Sequence, residues 1–281
     1  MEGMVVHEGR LSTFDQVELF WRKDQPGQPR AVLIVVHGLA EHSGRYEYLA
    51  QRLNRAGWGV YRFDHRGHGR SGGERAYVEN FMQFVEDTAL VVDLAGRENP
   101  GVPLFMFGHS MGGLVAAVYG IRYRGALAGQ VFSGALTREP AGAAQLKNTD
   151  FAALPATVKV PNALSGLISR DEEVVRAYQD DPLVLKEVSV RLLGEISING
   201  PAWLDAHVRE YQGPCLVLHG GADRIVDPEA ARWFHAQVSS ADKELRIYDG
   251  LYHEILNERE KEAVIDDVIR WLEKRLPPVA G

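Results

Sequence analysis

Leu104-Phe105-Met106-Phe107-Gly108-His109-Ser110-Met111-Gly112-Gly113-Leu114-Val115-Ala116-Ala117 is the stretch on which the fold turns. An apolar run of strand type enters it, a glycine-rich turn interrupts it, and small and aliphatic helix formers leave it. Strand, sharp turn and helix together are the context of a nucleophile elbow. There the serine sits in a strained backbone at the carboxyl edge of a sheet, so its neighbours two positions away must be small. Gly108, Gly112 and Gly113 supply that space, which singles out Ser110 as the exposed nucleophile.

Working outward, short β-branched runs recur at 4–8, 16–21, 31–36, 59–63, 104–107, 130–133, 215–219 and 245–248. Between them lie helical spacings: Tyr46, Leu49, Ala50 and Leu53; Phe81, Phe84, Val85 and Thr88; Val264, Ile265, Val268, Ile269 and Leu272. That alternation predicts an α/β fold, a mostly parallel eight-stranded sheet with helices on both faces. Residues 136–212 break the rhythm. They show no clear strand, prolines at 140, 155, 161, 182 and 201, and a helical pattern at 171–179. A structureless loop of that length is improbable in a compact domain, so a small helical cap is expected at 136–212, inserted in a core of 1–135 and 213–281.

Composition narrows the function. The 281 residues are 45% hydrophobic and 25% charged, ordinary for a folded chain. Lys+Arg 31 against Asp+Glu 38 gives a net charge of -7, without the basic footprint a nucleic-acid binder needs. The lone Cys215 lies in an apolar run and reads as a core thiol. The first residues lack a basic start followed by an apolar stretch, and no apolar run is long enough to span a bilayer, so a cytoplasmic protein is expected.

A serine hydroxyl needs a base, and the base needs a carboxylate that fixes its tautomer. In this architecture the chain order is serine, acid, histidine, each on a loop after a strand. Asp223 follows the run at 215–219 and His253 the run at 245–248; Asp227 and Asp249 are the other acids to weigh, at less comparable offsets. Two backbone N–H groups are expected to hold a developing oxyanion: Met111 at the start of the helix, and Leu39 in the loop after 31–36. His37, His42, His65 and His68 match no zinc spacing, so loop-fixing hydrogen bonds are expected of them and no metal. The glycine-rich 67–73 lacks the lysine and glycine spacing of a phosphate loop, and no cofactor is expected.

The chain resembles the monoacylglycerol lipases and related lysophospholipase-like serine hydrolases of the α/β-hydrolase fold. The resemblance is carried by His37-Gly38-Leu39-Ala40-Glu41-His42-Ser43-Gly44-Arg45-Tyr46, Phe63-Asp64-His65-Arg66-Gly67-His68-Gly69-Arg70-Ser71, the Ser110 elbow, Ala222-Asp223-Arg224, and Tyr248-Asp249-Gly250-Leu251-Tyr252-His253-Glu254. It implies an esterase with Ser110, Asp223 and His253 as triad and Leu39 and Met111 as oxyanion donors. It also implies that Glu41, Arg45 and the cap residue Tyr178 line the polar end of a pocket for glycerol, with loop-stabilising pairing an equal alternative. Ala40 departs from the pattern, since relatives often carry glycine there.

The expected substrate is a small lipid. Phe151, Leu154, Val158, Val160, Leu164, Leu167 and Ile168 are available to line an acyl pocket, to pack the cap, or to face a lipid surface transiently, with packing preferred. A lysophospholipase, a short-chain carboxylesterase or a small-peptide aminopeptidase would share the same triad. A non-catalytic binding protein on this scaffold would have lost part of it.

Overall fold

The computed structural model describes residues 4–140, 143 and 148–276. Parts of the expected core (1–3, 277–281) and cap (141–142, 144–147) lie outside the described residues. In chain order the elements are β1 (Val5–Ser12), β2 (Glu18–Gln25), β3 (Val32–Val36), α1 (Glu47–Arg55), β4 (Gly59–Phe63), α2 (Met82–Glu98), β5 (Leu104–His109), α3 (Met111–Arg122) and β6 (Gly129–Ser133). Then come β7 (Lys159–Pro161), α4 (Glu172–Asp180), β8 (Glu187–Ser189), α5 (Val190–Gly194), α6 (Gly200–His207), β9 (Cys215–Gly220), α7 (Glu229–Gln237), β10 (Lys243–Tyr248) and α8 (Lys261–Glu273).

One eight-stranded sheet runs β1-β2-β4-β3-β5-β6-β9-β10. The first two strands pair antiparallel and β4 joins β2 antiparallel, while every later pairing is parallel. The eight runs read from the sequence are these eight strands. Because strand side chains alternate in direction, β3 feeds two cores at once. Val32, Ile34 and Val36 join α2, α3 and α7 on one face, whereas Ala31, Leu33 and Val35 join α1 and α8 on the other.

After β3 the chain moves to β4 on one side and returns to β5 on the other. Strand order therefore reverses at the carboxyl ends of β3 and β5, the position at which an open α/β sheet places its ligand site. The loop holding Leu39 and the turn holding Ser110 meet there.

Between β6 and β9 one expectation is corrected. The segment does contain strand, the two-stranded β7–β8 ribbon, in which Val160 pairs with Val188. Three-residue strands are too short for alternation to register in a sequence. Apart from α4, the helices here and α7 also escaped the sequence, being short or continuous through a π-helical turn at Glu195–Asn199. Of the seven apolar residues considered for a lipid face, only Val158 is exposed; Phe151 and Ile168 are buried and the others half-buried. Among the described residues, no helix is long and apolar enough to cross a membrane.

Candidate active site

Ser110 is held at φ 54° and ψ -120°, a left-handed backbone that a non-glycine residue adopts only under constraint. The constraint is close packing. A Cβ on Gly112 would come within 2.2 Å of the Val36 carbonyl oxygen, and one on Gly108 within 2.5 Å of the Gly112 carbonyl oxygen. Only glycines let α3 start this close to β3 and β5. The Ser110 N–H donates to the Ser133 carbonyl at 3.0 Å, and the Ser110 carbonyl accepts from Leu136 at 3.0 Å, so β6 and its exit fix the turn from behind.

His253 lies on the loop after β10 and is buried. Its Nδ1 donates to Asp223 Oδ2 at 2.7 Å, which leaves Nε2 as the basic nitrogen. Asp223 Oδ1 accepts the Ile225 and Val226 N–H groups at 2.8 and 3.1 Å. His219 Nε2 approaches Asp223 Oδ2 to 3.0 Å while lying 2.9 Å from the Val226 carbonyl oxygen. Burial alone would raise the Asp223 carboxyl, but the charge of His253 and the bonds from both histidines hold it well below the usual carboxylate range. Burial would likewise lower His253, yet the Asp223 carboxylate outweighs it and raises the imidazole above its ordinary value. Asp227 instead caps the Glu229 N–H at 2.9 Å and Asp249 is exposed, so neither competes with Asp223.

The elbow and the histidine are neighbours. The His109 ring lies 4.7 Å from that of His253, and a Cβ on Gly134 would be 3.2 Å from His253 Nδ1. Burial, then the proximity of His253, pushes His109 down to about 4, which keeps it neutral beside His253. Met111 is the first residue of α3, so its N–H has no carbonyl four residues back inside the helix. Leu39 stands opposite, in a loop so close that a Cβ on Gly38 would lie 3.1 Å from Ser110 Cβ. Ala40 adopts φ 64°, the conformation that glycine takes without strain.

Glu41, Arg45 and Tyr178 come together as one network. Glu41 Oε1 accepts the Gly38 N–H at 2.6 Å and the Tyr46 hydroxyl at 2.7 Å, and its Oε2 lies 3.1 Å from Arg45 Nη1. Arg45 also makes a two-pronged pair with Glu254 at 2.5 and 2.7 Å, and its guanidinium sits 4.8 Å over the Tyr178 ring. The Tyr178 hydroxyl accepts from Asn162 at 2.8 Å. Sequence reasoning gave Glu254 no role, although a largely enclosed Arg45 requires a counterion and Glu254 directly follows His253. Burial would raise Glu254, but Arg45 pulls it down to about 2. Sequence reasoning gives His219 no part in the site either; its place four residues before Asp223, at the end of β9, is the available signal.

The four loop histidines fix loops. His37 Nδ1 lies 2.8 Å from the Gly38 carbonyl oxygen, His65 Nε2 3.2 Å from the His37 carbonyl oxygen, and His68 Nδ1 2.9 Å from the Arg66 carbonyl oxygen. His42 Nε2 reaches Asp181 at 2.9 Å. Cys215 is buried in β9, and burial pushes its thiol up to about 12, out of range of nucleophilic use.

Residues 27–260 match the family described as serine aminopeptidase, S33. The chain is 37% identical over 259 residues to a monoacylglycerol lipase of Mycolicibacterium smegmatis, covering 91% of this chain and 92% of that one. It is 35% identical over 274 residues to the human monoglyceride lipase, covering 94% and 90%. Its fold matches the crystal structure of the Paleococcus ferrophilus monoacylglycerol lipase with a TM-score of 0.80 at 28% identity, over 97% of this chain and all of that one.

Proposed function

Since the chain belongs to the family of α/β-hydrolase serine enzymes that includes these monoacylglycerol lipases, we propose that it cleaves monoacylglycerols to fatty acid and glycerol through an acyl-enzyme. The observation that carries the chemistry is the His253–Asp223 bond of 2.7 Å beside a serine held at φ 54°. Ser110 Oγ attacks the ester carbonyl while His253 Nε2 takes its proton. The N–H groups of Leu39 and Met111 receive the oxyanion, stabilising charge that develops only in the transition state. His253 then protonates the departing glycerol oxygen. Water, deprotonated by the same nitrogen, releases the fatty acid and restores Ser110. Asp223 holds the imidazole in the Nδ1–H tautomer and stabilises the imidazolium formed in each step.

Residues 136–212 act as the cap in this proposal. Their apolar side, Leu185 and Val188 with Val160 and Leu193, packs on Ala40 and Leu39 beside the oxyanion loop and offers the wall an acyl chain needs. Glu41, Arg45 and Tyr178 form the polar wall for the glycerol end, acting as one ion-paired unit. Contact with a lipid surface would be transient, since the net charge of -7 opposes binding to anionic membranes.

The test is fatty-acid release from a monoacylglycerol, the matching diacylglycerol, triacylglycerol and lysophosphatidylcholine, and a short nitrophenyl ester, together with an aminoacyl nitroanilide and the Ser110→Ala variant. Preference for the monoacylglycerol, with Ser110→Ala reduced by as much as about a million-fold, is the expected result. Turnover of only the short ester, the lysophospholipid or the nitroanilide would keep the serine mechanism and overturn the substrate. Undiminished activity in Ser110→Ala would overturn both.

A further inference from the structure

The Gly38–Leu39 peptide is gripped at its carbonyl by a side chain whose protonation state the surrounding bonds dictate. His37 is fully buried. Its Nε2 lies 2.9 Å from the His65 N–H, a donor, so Nε2 must present a lone pair. Its Nδ1 lies 2.8 Å from the Gly38 carbonyl oxygen, an acceptor, so Nδ1 must carry the proton. Only the neutral Nδ1–H tautomer satisfies both contacts. Burial supports the neutral form by pushing this imidazole down to about 4.

In a planar trans peptide the C=O and the following N–H point in opposite directions. Holding the Gly38 carbonyl on His37 therefore turns the Leu39 N–H away from the imidazole. The α-carbon of Gly38 already abuts Ser110, and the Gly38 N–H is tied to Glu41 Oε1 at 2.6 Å, so the peptide is fixed on both sides. His65 closes the chain of bonds by turning its own Nε2 to the His37 carbonyl at 3.2 Å.

We propose that His37 is a positioning residue whose Nδ1–H aims the Leu39 N–H at the substrate oxyanion. This rests on the assignment of Leu39 as an oxyanion donor. His37 touches no reacting atom, and its effect is confined to the transition state, because a ground-state carbonyl gains little from the donor.

Two measurements test it. Nitrogen-15 spectra of histidine-labelled wild-type protein near neutral pH should show His37 with a protonated Nδ1 and a bare Nε2; a proton on Nε2, or on both nitrogens, overturns the proposal without any variant. In kinetics, His37→Leu should lower kcat by about ten- to a hundred-fold, less than the roughly hundred- to thousand-fold loss from deleting an oxyanion donor, with KM within about twofold. Binding of a trifluoromethyl ketone carrying the substrate acyl chain should weaken by the same factor as kcat/KM. His37→Asn, whose amide nitrogen can stand where Nδ1 stood, should recover most of the loss. Wild-type kcat in a folded His37→Leu, or an asparagine variant no better than leucine, overturns it. Ser110→Ala in the same assays separates the two levels: residual activity there sinks the active-site assignment itself, whereas a silent Ser110→Ala with a proton on His37 Nε2 sinks only the role of His37.

Discussion

At the residue scale, the opposing effects on His253 set a pH dependence whose sign can be worked out. As the proposed base, His253 must be neutral to act. Its pKa is raised by Asp223 above the ordinary 6.5, so kcat/KM should be lost as pH falls through a midpoint above that value. Asp223→Asn removes the largest raising charge and leaves burial opposed only by Glu254 and Glu41, so the acid limb should move to lower pH while kcat falls by about ten-thousand-fold, the wrong tautomer being favoured. A pH–rate profile of both proteins checks it, and a limb that does not move would mean Asp223 is not the partner that matters. Ala40 poses a smaller question. Its φ of 64° costs on the order of 1 kcal/mol for a residue with a Cβ, an amount that glycine would relieve but offset by its greater freedom when unfolded. Ala40→Gly should therefore stay within about 1 kcal/mol of wild type in chemical denaturation. Ala40→Val, β-branched and fully buried at the same φ, should lose more than about 2 kcal/mol.

At the element scale, the active loops are held by buried ion pairs that join elements distant in sequence. Arg45, just before α1, is paired with Glu254 after β10. Glu254 is depressed to about 2 from its ordinary 4.5, so its contribution to stability is fully present above pH 4.5 and is lost as pH falls toward 2. Acid unfolding should therefore steepen below pH 4.5, and Glu254→Gln should flatten that dependence; an unchanged acid profile would argue against the pair. Arg170 plays a similar part between the 136–212 segment and the loop of His253. Its Nε lies 3.1 Å from Glu258 Oε2, while Glu258 Oε1 accepts the Tyr252 N–H at 2.8 Å. Because the Tyr252 and Arg170 N–H donors to Glu258 Oε1 remain, Arg170→Ala should destabilise by about 1–3 kcal/mol in thermal melting.

At the scale of the whole molecule, the parallel sheet places loops from separate parts of the chain at one edge, and described residues between β6 and β9 bond to those loops through the backbone. Leu185 donates to the Ala40 carbonyl at 2.8 Å, Ser189 to the Ala76 carbonyl at 3.0 Å, and Glu254 to the Ile168 carbonyl at 2.8 Å. The sequence by itself determined the strand runs, the elbow at Ser110 and the residues that can serve as acid and base, because these rest on local sterics, side-chain alternation and strand-then-loop order. Only the tertiary structure decided that Asp223 rather than Asp227 or Asp249 faces His253, that β7 and β8 pair, and that Glu41 and Arg45 bond to Gly38 and Glu254. It also decided which nitrogen of His37 carries the proton. Those outcomes depend on contacts between residues far apart in the chain, where a hydrogen-bond partner is chosen by distance and burial that no local pattern encodes.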